Sequence, residues 1–309
     1  MASTVSPCVL VYDVGGSHIS CAVCFANDYR LGPIAKANLP ETQTSDAFVS
    51  VLHSLRQQAT GEHSPIGAEL AMPGPFDYLQ GISRMRHKLP YLYGVNLSNA
   101  LAERFGWKPD QVRFLNDAAA YLLGEVGAGA ARGVPRAVGI TLGTGVGSAF
   151  AVDGRIVTTA NGVPPGGEVW NVPYEGGIVE DMISTRAIQA SYKQRSGKDR
   201  EVASIAHYAI GGEAAAAEVF AQFGRNLGLA LRHLLAEFAP DVVVLGGGIS
   251  RSAHLFMAEA TKELKGLNVE LRVSLLGDSA PLVGAGVAWF ADSRDSGNGS
   301  AVKGAPASA

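Results

Sequence analysis

Three glycine-rich segments have the composition of turns that bind phosphate groups. They are residues 13–17 (Asp-Val-Gly-Gly-Ser), 142–147 (Leu-Gly-Thr-Gly-Val-Gly) and 245–250 (Leu-Gly-Gly-Gly-Ile-Ser). Glycine lets backbone N–H groups turn toward phosphate oxygens, and a carboxylate such as that of Asp13 can hold a hydrated cation. Such turns can equally serve only to reverse the chain or to pack a strand tightly on a helix. Each segment alone therefore leaves both roles open.

Three carboxylates are candidates for acid–base chemistry or ligand binding. Asp117 directly follows a strand-like segment, residues 111–115, so its position is well fixed for a general base; its alternative role is the N-cap of a helix over 118–125. Glu168 lies in a loop rich in proline and glycine, where the alternative is an exposed loop carboxylate. Glu180 precedes a helix, where the helix dipole alone would favour a carboxylate.

The elements that would position these residues follow from hydrophobic periodicity. Residues 8–25 and 137–152 each predict a β-hairpin around one of the glycine turns, which indicates two related α/β lobes. Strands are predicted at 66–72, 111–115 and 241–245, and helices at 46–58, 99–105, 118–125, 215–236 and 282–290. The segment 293–309 is rich in Gly, Ser and Ala, which predicts a disordered tail.

The order of these motifs resembles the ROK family (repressors, open reading frames and kinases) of the sugar-kinase, Hsp70 and actin superfamily. The resemblance covers about residues 9–290 and includes segments 13–17, 72–77 with Gly81, 116–118, 142–147, 167–168, 180–184 and 245–248. It implies an α/β fold of two ribonuclease-H-like (actin-like ATPase) lobes separated by a cleft. The predicted small lobe comprises residues 1–117 plus 287–292, and the large lobe comprises residues 118–286.

The resemblance implies a cofactor, a substrate and a set of site residues. The implied reaction is ATP-dependent phosphorylation of a hexose or N-acetylhexosamine hydroxyl, as in a glucokinase, with Asp117 as general base and Mg²⁺ held near Asp13 through water. The residues implied for sugar binding are Gly74, His87, Asn116, Asp117, Glu168, Asn171 and Glu180. Those implied for ATP binding are Asp13, Gly15, Gly16, Ser17, Gly143, Thr144, Gly145, Gly246, Gly247 and Gly248.

The sequence departs from the family pattern at two places on the sugar side. Trp170 and Asn171 stand where most members have Gly-His, and no cysteine follows Cys24, so the cysteines of the family zinc site are missing and we predict no structural zinc. Trp170 either stacks on a sugar face or fills the space of the missing loop. His87 stands near a position where relatives have a small polar residue; the alternative is a surface histidine in a basic stretch.

Composition limits the remaining alternatives. The chain of 309 residues has 25 Lys+Arg and 28 Asp+Glu, a net charge of −3 that does not favour nucleic acid as a partner. Apolar runs are too short for a membrane span, and three cysteines near one end fit a reducing compartment, the cytoplasm. The rival functions are a non-catalytic sugar sensor without a DNA-binding domain and an ATPase of the chaperone or actin type. ATP and polyphosphate both stay open as donors, and the resemblance is compatible with a homodimer.

Overall fold

The computed structural model describes residues 6–297, and their side chains as far as residue 291. Its strands are β1 (Cys8–Val14), β2 (His18–Phe25), β3 (Ala35–Asn38), β4 (Ala68–Met72), β5 (Phe76–Asp77), β6 (Ile82–Ser83), β7 (Val112–Asn116), β8 (Arg136–Leu142), β9 (Val146–Val152), β10 (Arg155–Val157), β11 (Pro173–Tyr174), β12 (Gly177–Ile178), β13 (Val242–Gly246) and β14 (Glu270–Val273). Its helices are α1 (Ser45–Thr60), α2 (Leu97–Phe105), α3 (Asp117–Ala128), α4 (Val179–Ile183), α5 (Thr185–Ser196), α6 (Val202–Ile210), α7 (Ala214–Leu235), α8 (Met257–Glu263) and α9 (Ala280–Gly297).

Two five-stranded sheets repeat one topology. The first has the order β3-β2-β1-β4-β7 and the second the order β10-β9-β8-β13-β14. In each, the first three strands in sequence are antiparallel neighbours, and the first strand also pairs in parallel with a later one, β1 with β4 and β8 with β13. The predicted pair of related α/β lobes, each opening with a hairpin around a glycine turn, is confirmed.

The central strands are apolar on both faces because both faces are covered. All residues of β4 and β13 are buried, as expected for parallel strands between layers of helices. Helices α3 and α9 pack against each other; α9 also contacts β1, β2 and β4, whereas α3 contacts β8 and β9. A Cβ atom at Gly284 of α9 would lie 1.7 Å from the carbonyl oxygen of Ala120, so this close helix contact requires glycine.

Two sequence predictions about helix ends were wrong. Helix α3 begins at Asp117 and its N-cap is Asn116, whose Oδ1 accepts a hydrogen bond from Ala119 N at 3.1 Å, because Asn116 is the residue with extended backbone. Helix α9 continues through residues 293–297, the start of the predicted tail. The rest of that tail, 298–309, lies outside the described residues. The lobe boundaries at 117 and 287 stay a prediction. Within residues 6–297, no helix is both long and apolar enough to cross a bilayer.

Candidate active site

The candidate residues gather where strands of the two sheets end. Because β1, β4 and β7 are parallel, their carboxyl ends meet at one edge, which brings Asp13 of β1 to the same edge as Asn116 of β7 and the adjoining Asp117. The parallel strands β8 and β13 likewise end at two glycine turns, residues 143–145 and 246–248. The strand topology therefore brings motifs that are far apart in sequence to one region.

A cavity of about 350 Å³ lies in this region, lined by residues of both sheets and of helix α3. Four predicted site residues line it: Asp13, Asp117, Gly247 and Gly248. The other lining residues are His18, Ser20, Ala118, Tyr121, Thr141, Arg251, Gly277, Asp278 and Pro281. The cavity therefore places the predicted cation ligand and the predicted base on the walls of one space.

Asp13 is largely removed from solvent and lies near two other carboxylates. Burial raises the pKa of its carboxyl group from the ordinary 3.8 to about 7, and the negative charges of Asp117 and Asp278 add to this rise, while Lys36 opposes it. A carboxyl group with this pKa is readily protonated in the free protein. A cation beside it would favour the ionised form.

Asp117 is held at the first position of helix α3. Its Oδ1 atom accepts a hydrogen bond from Ala118 N at 2.9 Å, which fixes the orientation of the carboxylate. Burial raises the pKa of Asp117, while the Ala118 N–H and the charge of Lys88 oppose that rise and the charge of Glu168 supports it. A raised pKa strengthens a carboxylate as a proton acceptor near neutral pH. Because Asn116 caps helix α3, Asp117 is not its N-cap, the alternative role that the sequence left open.

Asn116 belongs to a short hydrogen-bonded chain that the sequence did not reveal. Its Nδ2 donates to Tyr78 Oη at 3.1 Å, and the Tyr78 hydroxyl donates to Met72 O at 3.2 Å. A Cβ atom on Gly74 would lie 3.5 Å from the same hydroxyl. Tyr78 thus joins Asn116 of β7 to Met72 at the end of β4. The sequence signal was its position directly after the motif at residues 72–77.

Glu168 and Trp170 form a contact at the edge of the site. The Trp170 indole Nε1 donates to Glu168 Oε2 at 3.0 Å, and the Trp170 side chain is 40% exposed. This contact and exposure are compatible with both roles left open for Trp170, stacking on a sugar face and filling the space of the missing loop. Asn171 is also exposed. The negative charge of Glu168 affects the pKa of both Asp117 and Tyr78, so Glu168 faces the same region as the predicted base.

The structure does not bring every predicted residue to the cavity. Glu180 instead supports the second glycine turn: its Oε2 accepts from Val146 N at 3.0 Å, and its Oε1 pairs with Arg186 at 3.1 Å. His87 is exposed, and the neighbouring Lys88 is the residue whose charge acts on Asp117. The predicted ATP-binding residues that do not line the cavity are Gly15, Gly16, Ser17, Gly143, Thr144, Gly145 and Gly246.

The third glycine turn combines packing with access to the cavity. Gly247 has φ +79°, and a Cβ atom there would lie 2.4 Å from Leu142 O, so packing between β13 and β8 requires glycine. A Cβ atom at Gly248 would have no neighbour within 4 Å, and Gly248 lines the cavity. The packing role left open by the sequence therefore applies at Gly247, while Gly248 is accessible to a ligand.

The residues around Asp13 fit the predicted magnesium ion. Magnesium is commonly held by one or two carboxylates together with substrate phosphates and water. Asp13 lines the cavity, as do Gly247 and Gly248 of the third glycine turn. The described residues contain no cluster of three or more His, Cys, Asp or Glu side chains suited to a metal ion. The arrangement therefore suits an ion that reaches the site with phosphate groups.

Comparisons with known proteins identify the family of the chain. The ROK family model matches residues 9–292. The chain is 28% identical to the glucokinase of Thermotoga maritima over 79% of this chain and 82% of the relative, and 26% identical to the N-acetyl-D-glucosamine kinase of Pectobacterium atrosepticum over 81% and 87%. A crystal structure of a ROK hexokinase from Thermus thermophilus superposes with a TM-score of 0.78 at 25% identity, covering 93% of this chain and 99% of that one.

Proposed function

The chain belongs to the ROK family, and on this basis we propose that it is an ATP-dependent kinase that phosphorylates a hydroxyl group of a hexose or an N-acetylhexosamine. The observation that carries the proposal is the shared cavity: Asp13 and Asp117 line the same space as the third glycine turn. A phosphoryl-transfer site needs a proton acceptor, a cation site and backbone groups that position phosphates. The residues proposed for these three parts, Asp117, Asp13 and Gly248, line one cavity.

The similar proteins support the substrate class. The two relatives compared above are named as a glucokinase and an N-acetyl-D-glucosamine kinase, and each is matched over most of its length. Glucose and N-acetylglucosamine differ at the C2 substituent and share the remaining hydroxyl groups of a hexose. The proposal therefore covers both classes of acceptor.

In the proposed reaction, Asp117 accepts the proton of the sugar hydroxyl. The hydroxyl oxygen forms a bond to the γ-phosphorus of ATP while the bond between that phosphorus and the β–γ bridging oxygen breaks, so the products are a sugar phosphate and ADP. A magnesium ion held by Asp13 through water would supply neutralisation of phosphate charge. The N–H group of Gly248 is available to bind phosphate at the cavity wall.

The remaining predicted residues have proposed places around the acceptor. Asn116 has a second Nδ2 hydrogen beside the one donated to Tyr78, which can bind a sugar hydroxyl. Glu168, oriented by Trp170, can accept from another hydroxyl. The proposed sugar-binding set also includes Gly74, His87, Asn171 and Glu180, whose carboxylate in addition holds the second glycine turn through Val146 N. The first two glycine turns complete the proposed ATP-binding set.

The test is an ADP-release assay with MgATP across a panel of hexoses and N-acetylhexosamines. Wild-type protein should release ADP with at least one of these sugars, and Asp117→Asn should lower turnover by about 10²- to 10⁴-fold. Nucleotide binding by the variant, measured by calorimetry, should stay near the wild-type value because Asn has the same shape. Asp110→Asn, at an exposed aspartate outside the cavity, is the matched control and should not change turnover.

Three outcomes would each overturn part of the proposal. Turnover of Asp117→Asn near the wild-type rate would remove Asp117 from the mechanism. If no sugar in the panel stimulates ADP release while calorimetry shows that a sugar binds, the kinase proposal is replaced by the non-catalytic sugar sensor. ATP hydrolysis that does not depend on sugar would instead indicate an ATPase.

A further inference from the structure

The cavity has an unusual charge balance for a site that binds phosphate groups. Three carboxylates line it, those of Asp13, Asp117 and Asp278. Among the lining residues in the described part of the chain, Arg251 is the sole Arg or Lys. A nucleoside triphosphate is itself strongly anionic, so a cationic side chain on the cavity wall has a direct use when the donor binds.

Arg251 is held at this wall by an ion pair. Its Nη2 lies 2.9 Å from Oδ1 and 2.7 Å from Oδ2 of Asp278, and the two side chains are 69% and 68% exposed. Nη2 donates both hydrogen bonds to Asp278, which leaves Nη1 and Nε outside this ion pair. Exposed ion pairs contribute little to folding stability. The pair can therefore open at little cost to the fold.

The segment that leads to Asp278 is held by hydrogen bonds to a buried carboxylate of helix α3. Glu125 of α3 is fully buried, and its carboxylate accepts hydrogen bonds from Leu276 N at 3.1 Å, Leu275 N at 3.3 Å and the Ser274 hydroxyl. These bonds join the segment before Asp278 to the helix that begins with Asp117. Asp278 thus has a defined position, and it keeps the guanidinium of Arg251 at the cavity.

We propose that Arg251 binds a phosphate group of the nucleotide donor and that Asp278 is the partner it leaves when the nucleotide enters. This inference rests on the proposed kinase function. A guanidinium group can donate two parallel hydrogen bonds to phosphate, and such charge-assisted bonds are stronger than those of an exposed ion pair. Exchange of the Asp278 carboxylate for a phosphate keeps the guanidinium paired in both states.

The experiment compares two variants that break the same ion pair. Arg251→Ala removes the proposed phosphate ligand, whereas Asp278→Asn leaves it in place and releases it. Calorimetry with MgATP should show a dissociation constant raised by about 10- to 100-fold in Arg251→Ala, the range expected for loss of a charge-assisted hydrogen bond. Asp278→Asn should bind MgATP as tightly as the wild type or more tightly. Arg251→Lys should give an intermediate value.

The outcomes separate this inference from the function on which it rests. Equal weakening in Arg251→Ala and Asp278→Asn would show that the ion pair acts structurally and would overturn the inference. If the wild type binds MgATP tightly and Arg251→Ala binds it equally tightly, the inference is also overturned. The kinase proposal would stand in that case. If the wild-type protein binds no MgATP, both fail. Sugar affinity and thermal unfolding should be unchanged in Arg251→Ala.

Discussion

Asp13 is expected to make the free protein less stable at neutral pH, because it serves a ligand and not the fold. The difference between a pKa of about 7 in the folded chain and the ordinary 3.8 corresponds to about 4 kcal/mol once Asp13 is ionised. Asp13 keeps some contact with solvent, which screens part of this cost. We therefore expect Asp13→Asn to raise the free energy of unfolding at pH 8 by about 2 to 4 kcal/mol.

The direction of the pKa shift determines how the stability difference between Asp13→Asn and the wild type changes with pH. Below about pH 4, Asp13 is neutral in both the folded and the unfolded chain, so its pKa adds no cost. As the pH rises from 4 to 7, the unfolded chain loses this proton first, and the cost grows until the folded carboxyl ionises. The advantage of Asp13→Asn should therefore be about 1.5 kcal/mol at pH 5 and complete above pH 7.

Urea unfolding at pH 5, 6.5 and 8, with EDTA and without nucleotide, measures this difference. The same variant should lose most sugar-dependent ADP release, because an amide is a poorer magnesium ligand than a carboxylate. Asp110→Asn is the control for removing one negative charge elsewhere. A stability difference that does not change with pH, or a variant less stable than wild type at pH 8, would refute the reasoning.

Two further predictions concern residues that hold the cavity walls. Gly247→Ala should lower the free energy of unfolding, measured with urea, by about 2 kcal/mol or more, because φ is positive at this residue and the new Cβ would lie 2.4 Å from a carbonyl oxygen. Gly16→Ala is the control and should be nearly neutral, because a Cβ atom there would have no neighbour within 4 Å. Glu125→Ala should cost about 3 kcal/mol because it leaves several buried donors unpaired, and Glu125→Gln should cost less. Equal effects within either pair of variants would contradict these assignments.

Prediction from the sequence succeeded where a feature is local. The hairpin at residues 8–25 shows two runs of β-forming residues around a glycine turn, and the repeat at 137–152 shows the same pattern, so the two lobes could be predicted. The N-cap of α3 was assigned to Asp117 because Asp and Asn cap helices about equally well. Which of two adjacent residues takes the extended backbone depends on where β7 ends, and that is set by its pairing with β4.

The sequence by itself determined the strand and turn pattern, the family resemblance and the pair Asn116-Asp117 at a strand end, since each depends on residues close together in the chain. Only the tertiary structure decided that Arg251 and Asp278 share a wall with Asp13, and that Glu180 faces a glycine turn. Those contacts join segments separated by many residues, and no local pattern encodes them. They exist because parallel strands of two sheets end at one cavity, where packing sets each distance.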